Sequence, residues 1–303
     1  MKPPPFSYHA PASLPHALSL LAETGSDGKV LAGGQSLIPL LNMRLAAPAH
    51  LVDINGITEL DRVDTDATGV RVGALARHSR VEADPAAAAA VPLLGQGLRL
   101  VAHPVIRNRG TTVGSLAHAD PSAEMTAALA LLGGSVVAAS TDGERTIDVA
   151  DFFVGPMESS LRTGELLVSA HFPRPPAGSG TAFAELARRH GDYAMCGVAA
   201  LVTLDQDLRV CAARAAYLSV APVPLVLDLT EPLAGRPPGT ADFAAAGRMT
   251  RGRLEPEEDI HATAEYRAHL AEVLTARALR EAAQAAIRTS LDPAESAREG
   301  APT

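Results

Sequence analysis

Apolar and polar positions follow two different rhythms along this chain, and each change of rhythm marks a new element. Residues 13–25, SLPHALSLLAETG, put Leu14, Leu18 and Leu21 at helical spacing on one face. Ser13 stands where an N-cap belongs and Gly25 where a helix stops, so a helix is predicted. KVLAGG and HLVDI are short apolar runs that predict buried strands, with a glycine turn and the leucine-rich LIPLLNM between them. The first block, residues 1–55, is therefore a small α/β unit. In the second, residues 56–176, GVRVGAL, GSVVAAS and ELLVSAHFP predict strands, and VPLLGQGLRLVA and PSAEMTAALALLG predict helices. PRPPAGSG, residues 173–180, reads as a Pro/Gly-rich linker. The third block, residues 177–290, opens on CGVAALVTLDQDLRVCAARAAYLSV, whose apolar halves flank DQD and predict a hairpin. It closes with Ala-rich helices such as YRAHLAEVLTARALREAAQAAI, and residues 291–303 form a fraying tail. No internal repeat is present. The pattern is that of an α+β protein.

Composition narrows the picture. With 303 residues, 47% of them hydrophobic, the chain can fill two or three domain cores. Aromatics are 3% and Trp is absent, so Ala, Leu and Val carry the packing. A formal net charge of −8 disfavours a nucleic-acid platform, which needs a basic face. No apolar run approaches the roughly 20 residues of a membrane span. MKPPPFSYHA lacks the apolar segment of a secretory signal, and a cytoplasmic location is expected. Cys196 and Cys211 are the only cysteines, too few for a disulfide framework or a four-thiolate cluster.

Two glycine-containing turns hold the candidate chemistry. In KVLAGGQSLIPLLNMRLAAP, residues 29–48, Gly33 and Gly34 break an apolar run, and Gln35 and Ser36 precede a helix. Paired glycines serve a tight turn or a close approach of backbone to something else, and the stretch alone is compatible with both. HPVIRNRGTTVGSLAHADPSAEM, residues 103–125, supplies a second loop of small and hydroxyl residues, with Asp120 placed to cap the following helix at Pro121. Two such turns, each leading into a helix, suggest a nucleotide clamped between them. Neither is a Rossmann or Walker motif. HAD at residues 118–120 offers two ligands without a third, so no metal site is expected. Arg188 and Arg189 are read as surface ion-pairing residues, and LEPEEDI as a solvated acidic turn.

AGGQSLIPLLNMRLAAPAHLVDI, VRVGALARHSRVE, HPVIRNRGTTVGSLAHADPSAE and ARRHGDYAMCGVAAL resemble, in order, the FAD-binding medium subunit of the molybdenum hydroxylases. That family includes carbon monoxide dehydrogenase and xanthine-dehydrogenase-like enzymes. The resemblance spans residues 5–287. It implies a two-part FAD-binding domain of the PCMH/vanillyl-alcohol-oxidase-like type, followed by a C-terminal domain with antiparallel sheet and helices. It also implies one noncovalent FAD, which takes electrons from a small [2Fe–2S] subunit. Molybdopterin would sit on a large subunit, the whole forming a dimer of heterotrimers. NAD, oxygen or a quinone would accept the electrons.

The resemblance also implies roles. Lys29, Val30, Leu31, Ala32, Gly33, Gly34, Gln35, Ser36 and Leu37 match the family's first flavin loop. There the backbone N–H groups and the Ser36 hydroxyl would meet the pyrophosphate, helped by the dipole of the next helix, whose Pro39 falls harmlessly in its first turn. Thr111, Gly114 and Ser115 match diphosphate or ribityl contacts, His118 and Glu124 match positions near the ribityl and adenosine parts, and Asp120 is a further cofactor-binding candidate in that segment. Val101 and Leu167 match further flavin-contacting positions, and Tyr193 a place beside the isoalloxazine, where it would gate one face. Two departures stand out. Val113 replaces the first glycine of the family's T-[IL]-G-G-S, so the loop is expected to be extended or altered there. Glu185 stands where some relatives have lysine. A stand-alone flavoenzyme on the same scaffold is the alternative function. A scaffold subunit that has lost flavin is disfavoured by the intact glycines and hydroxyls.

Overall fold

The computed structural model describes residues 2–291. The chain starts with β1 (Ser7–His9), α1 (Leu14–Thr24), β2 (Gly28–Leu31), α2 (Leu37–Met43) and β3 (His50–Asp53). The three strands form a parallel sheet in the order β1-β3-β2. Ala17, Leu18 and Leu21 bury one face of α1, with Leu14 packed at its edge. Ser13 enters that helix extended but makes no side-chain capping bond.

Next come β4 (Val63–Thr65), β5 (Gly69–Gly73), α3 (His78–Ala83), α4 (Pro85–Ala90), α5 (Pro92–Leu98), α6 (Pro104–Arg107), α7 (Thr112–His118) and α8 (Glu124–Leu132). β6 (Ser135–Ser140), β7 (Gly143–Asp148), α9 (Val149–Phe152), the small hairpin of β8 (Phe153–Gly155) and β9 (Glu158–Ser159), and β10 (Leu166–Pro173) complete this part. Its main sheet is antiparallel, in the order β4-β5-β10-β6-β7. The central strand β10 is buried over five consecutive residues, Leu166 to Ala170, as a strand covered on both faces should be. Asp120 does not cap α8. Its carboxylate accepts from Ser122 N–H at 2.8 Å, closing a local turn, and the helix starts later, with Ala123 at the N-cap. An Asx turn satisfies the aspartate within two residues, before a helix can form.

β11 (Ser179–Ala187), β12 (Ala194–Leu204), β13 (Val210–Leu218) and β14 (Leu225–Asp228) form an antiparallel meander, followed by α10 (Phe243–Arg248) and α11 (Ala264–Leu291). The predicted hairpin turns at Asp205, whose carboxylate accepts from Asp207 N–H and Arg209 N–H. α11 lies across β11 and β12, burying Leu270, Leu274, Ala278, Ala282 and Ala286 at helical spacing. The segment read as a linker is shorter than expected, because Ser179 and Gly180 already belong to β11. Most buried apolar residues among those described fall into two clusters. One joins the first two sheets and their helices; the other lies between the meander and α10–α11. The two meet where α8 packs on β12 and β13, with Arg214 donating to the Leu131 carbonyl at 2.9 Å. No helix among the described residues is long and apolar enough to cross a membrane. The predicted tail beyond Leu291 lies outside the described residues.

Candidate functional site

The first glycine turn runs from the end of β2 into α2. The Ala32 carbonyl is held by Asn55 Nδ2 at 2.8 Å, and Asn55 N–H is fixed in turn by the Asp53 carboxylate at 2.9 Å. A Cβ on Gly33 would strike the Arg109 carbonyl and lie 2.8 Å from Gly110 Cα, so the two turns touch here, backbone to backbone. Gly34 has φ +73°, a left-handed conformation that glycine adopts without strain. Gln35 Nε2 donates to the Gly33 carbonyl at 3.0 Å, which folds this side chain over its own turn. The N–H groups of Gly33, Gly34, Gln35 and Ser36 have no partner among the described residues, and the Ser36 hydroxyl makes no capping bond. Lys29 is exposed. Val30, Leu31, Ala32 and Leu37 are partly buried, and Val30 and Ala32 pack against the main core.

Opposite stands the second turn. Thr111 is extended (φ −112°) and is the N-cap of α7, its hydroxyl accepting from Gly114 N–H at 3.1 Å. Gly114 is needed for this cap, since a Cβ there would meet Thr111 Oγ1. Val113 is neither extended nor strained: it lies in the first turn of α7, 1% exposed, and fills the core. The hydroxyl-rich loop expected from the sequence is thus mostly the start of a helix, a backbone that valine accepts. The N–H groups of Thr111 and Val113 are also unpaired among the described residues. His78 lies beneath the turn, with Thr112 Oγ1 at 3.2 Å and its own N–H donated to the Gly110 carbonyl. Burial, and then the nearby Arg107, lower its pKa to about 4, so it is neutral at physiological pH.

Arg77 braces the two turns. Its guanidinium donates to Asn55 Oδ1 at 2.7 Å and to the Arg109 carbonyl at 2.5 Å. Asn55, Arg77 and Arg109 were assigned no role from the sequence. Arg77 sits within the VRVGALARHSRVE match, but nothing in its spacing signals a cross-link to residues 22 and 32 positions away. At the far end of α7, His118 is lowered by burial, with Asp120 opposing and Lys29 adding to the shift. The charges of Lys29 and Asp120 thus both reach His118.

Beyond them lies an acidic side. Ser219 pins the Asp120 turn to β13, donating its N–H to the Pro121 carbonyl and its hydroxyl to Ser122, each at 2.9 Å. Glu124 opens α8, and burial followed by the charge of Glu185 raises its pKa to about 8. Glu185 on β11 is raised to about 7 by burial, and its Oε2 is buried without a partner. Tyr193 is 69% exposed as a residue, but its hydroxyl end turns toward Asp120. Desolvation and then that carboxylate push its pKa up to about 12. The segment carrying Tyr193 rests on His103: a Cβ on Gly191 would strike that ring, and His103 and His190 meet edge to face at 5.6 Å. Leu167 is 4% exposed and Val101 partly buried; both pack in the main core, and the Val101 carbonyl accepts from Arg107 Nη1 at 3.0 Å. No group of three potential metal ligands occurs among the described residues.

A run of bare N–H donors, the free Ser36 hydroxyl, and Lys29 with His118 at one end form a donor set for a diphosphate. Aligned N–H groups left without partners at a partly buried turn are costly unless a ligand or water takes them up. The set fits a dinucleotide.

Comparison with known proteins leads to the same place. Residues 4–175 match the FAD binding domain in molybdopterin dehydrogenase, and residues 181–282 the CO dehydrogenase flavoprotein C-terminal domain. The chain is 42% identical over 285 residues to caffeine dehydrogenase subunit beta of Pseudomonas sp. (strain CBB1), covering 93% of this chain and 96% of that one. It is 41% identical over 283 residues to 6-hydroxypseudooxynicotine dehydrogenase complex subunit alpha of Paenarthrobacter nicotinovorans, with the same coverage, 93% and 96%. The crystal structure of quinoline 2-oxidoreductase from Pseudomonas putida 86 matches with TM-score 0.88 at 40% identity, over 95% of this chain and 100% of that one. By domain content, sequence and fold, the chain belongs to the FAD-binding medium subunits of the molybdenum hydroxylases.

Proposed function

We propose that the chain holds one noncovalent FAD across its two glycine turns and relays electrons from a [2Fe–2S] subunit to an external acceptor such as NAD, oxygen or a quinone. The observation that carries this reading is the row of unpartnered N–H groups at Gly33, Gly34, Gln35 and Ser36, in a turn whose Gly33 lies directly against the Arg109–Gly110 backbone. Bound FAD supplies a carrier that can be loaded one electron at a time and unloaded as a pair.

The protein's own residues bind, orient and shield. In this reading the four N–H groups and the Ser36 hydroxyl bind the diphosphate, and Ser115 and Lys29 extend the polar lining. Thr111 has its oxygen engaged by Gly114 N–H but keeps its own proton to donate. Arg77 and Asn55 hold the two turns at a fixed separation, so little conformational freedom is lost when the ligand arrives. Leu167 and Val101 stiffen the wall behind, and Tyr193 is placed to cover or uncover a flavin face. The division into residues 1–55, 56–176 and 177–290 assigns one turn to each of the first two parts and Tyr193 to the third.

Partners follow from the family, whose medium subunits work beside large and small chains. We infer a dimer of heterotrimers, with molybdopterin and the clusters on the other subunits. Ile38, Met43 and Leu45, on and just after α2, are 40%, 50% and 71% exposed, an apolar display suited to being covered by a partner. The two cysteines are free, as suits the cytoplasm. The test is the visible spectrum of the purified chain, followed by denaturation. A yellow protein that releases FAD supports the reading. Colourless protein that takes up no FAD on reconstitution, or flavin that stays attached after denaturation, overturns it. Purification from the native source should bring down a larger and a smaller chain. A lone protein that oxidises a small molecule unaided would favour the stand-alone reading.

A further inference from the structure

Electrons arriving from an iron–sulfur cluster bring no protons. A flavin that gains two electrons and one proton becomes an anion, and a shielded site must compensate that charge. The residues around Glu124 and Glu185 bear on how it does so. Glu124 opens α8 and Glu185 lies on β11, and both elements pack against α5: a Cβ on Gly97 would lie 2.7 Å from Met125 Cε and 3.3 Å from the Phe183 ring. Phe183 and Glu185, two apart on a strand, share that face. Opposite Glu185 on β12 is Gly197, which contributes no side chain.

The charged and titratable groups that face this spot are few. The preceding turn brings Asp120, and the β11–β12 connection brings Tyr193. α7 and β2 bring His118 and Lys29, which act on the Asp120 side. α5 brings Arg99, which lines a groove with Thr181 and Phe183 farther along β11. Neither glutamate enters an ion pair among the described residues, and Glu185 Oε2 is buried without any partner. Two shielded carboxyls with no cation between them cannot both stay ionised cheaply. Burial holds them at about 8 and about 7, and such a pair titrates as a unit.

We propose that Glu124 and Glu185 form a proton-holding pair whose task is to take up one proton from solvent when the flavin is reduced. The step balances. FAD gains two electrons and one proton to give FADH⁻, while the pair passes from one carboxylic acid plus one carboxylate to two carboxylic acids. In all, two electrons and two protons enter. The new negative charge makes the pair more basic, so the second proton binds to the protein instead of the flavin. Asp120 and the exposed Tyr193 mark the side from which solvent protons reach it. This rests on the reading that Glu124 lies against bound FAD.

The experiment is the midpoint potential of FAD in the flavin-loaded subunit across about pH 7 to 8, the window in which the pair holds one proton, with Glu185→Gln beside the wild type. A tenfold change in proton activity shifts a two-electron couple by about 30 mV per proton taken up. Wild type should therefore fall by about 60 mV per pH unit, and Glu185→Gln by about 30 mV. Equal slopes overturn the proposal. A second measurement needs no flavin: isotope-edited infrared spectra of the glutamate carboxyls in the apo chain. Wild type should keep protonated carboxyl signal until about pH 7 to 8, and Glu185→Gln should lose its remaining signal at lower pH. If every glutamate is ionised by pH 6, the pair does not hold its proton and the proposal falls even if FAD binds normally. If FAD never binds but the carboxyls titrate as stated, the proton-holding pair stands, whereas the functional reading and the role that rests on it both fail.

Discussion

Gly33 shows how much one missing Cβ decides. The family resemblance implied that its bareness served a ligand, but the nearest obstacle to a side chain there is the protein itself, the Arg109 carbonyl and Gly110. Gly33→Val should therefore push the two turns apart and strip FAD from both at once. The flavin-to-protein ratio of the purified variant tests this, and a normal ratio would return the turn to a merely structural role. Gly34→Ala would force an alanine to φ +73°, a strain of roughly 1–2 kcal/mol. Ser36→Ala is the cleaner probe, because its hydroxyl caps nothing in the chain. It should weaken FAD binding about tenfold or more, the worth of one charge-assisted hydrogen bond, and leave the melting temperature of the flavin-free chain unchanged. Both glycines and this serine were legible in the sequence because bare backbone and small polar groups are visible as letters. The Arg77 brace was not, because a surface arginine has no periodicity and its partners lie far away in the chain. Val113 and Asp120 misled for a different reason. The structure spends Val113 on the first turn of a helix and Asp120 on a two-residue turn, local choices that single letters do not settle.

Elements were legible in proportion to their length and rhythm. β5, β6, β10 and the β12–β13 hairpin match the runs that predicted them, as do α1 and the core of α8. β1 left no signal: it is three residues long, and parallel pairing with β3 holds it in place. Pro/Gly content concealed the start of β11. Gly180 is where the backbone of α11 rests on that strand, and a Cβ there would strike Ala282 O and Ala286 N. Gly247 plays the same part between α10 and α11, against the Glu272 carbonyl. These are packing glycines of a helix laid flat on its neighbours, and no linker needs them. Gly180→Val should lift α11 and lower the denaturant midpoint of the chain, at a stability cost of roughly 1–3 kcal/mol, the scale of overpacking. FAD retention should suffer less, since the two turns lie in the other core. If the midpoint is unmoved, α11 is not locked to the sheet at that point.

At the scale of the whole molecule, the buried titratable groups pull stability in opposite directions as pH changes. His78 has its pKa depressed from 6.5 to about 4, so the folded chain favours the neutral ring. Its contribution is complete above pH 6.5 and is lost as pH falls toward 4, where the unfolded chain binds a proton that the folded chain refuses. Glu124 and Glu185 act the other way, raised from 4.5 to about 8 and about 7. Their contribution is complete below pH 4.5 and is lost as pH rises through 7 and 8, because the folded chain prefers the protonated acids. Between pH 6.5 and 8 only the carboxyls are changing, so this set of groups makes the flavin-free chain lose stability toward alkaline pH. Glu185→Gln should flatten that alkaline limb, because an amide cannot ionise, while leaving the acid limb in place. His78→Gln should do the reverse, lowering the melting temperature at pH 7 through its lost packing and its contact with Thr112, yet falling less steeply toward pH 4. Melting curves of the three proteins at half-unit pH steps would separate the two limbs. An alkaline slope that survives Glu185→Gln unchanged would mean that the carboxyl at 185 is already ionised in the folded chain.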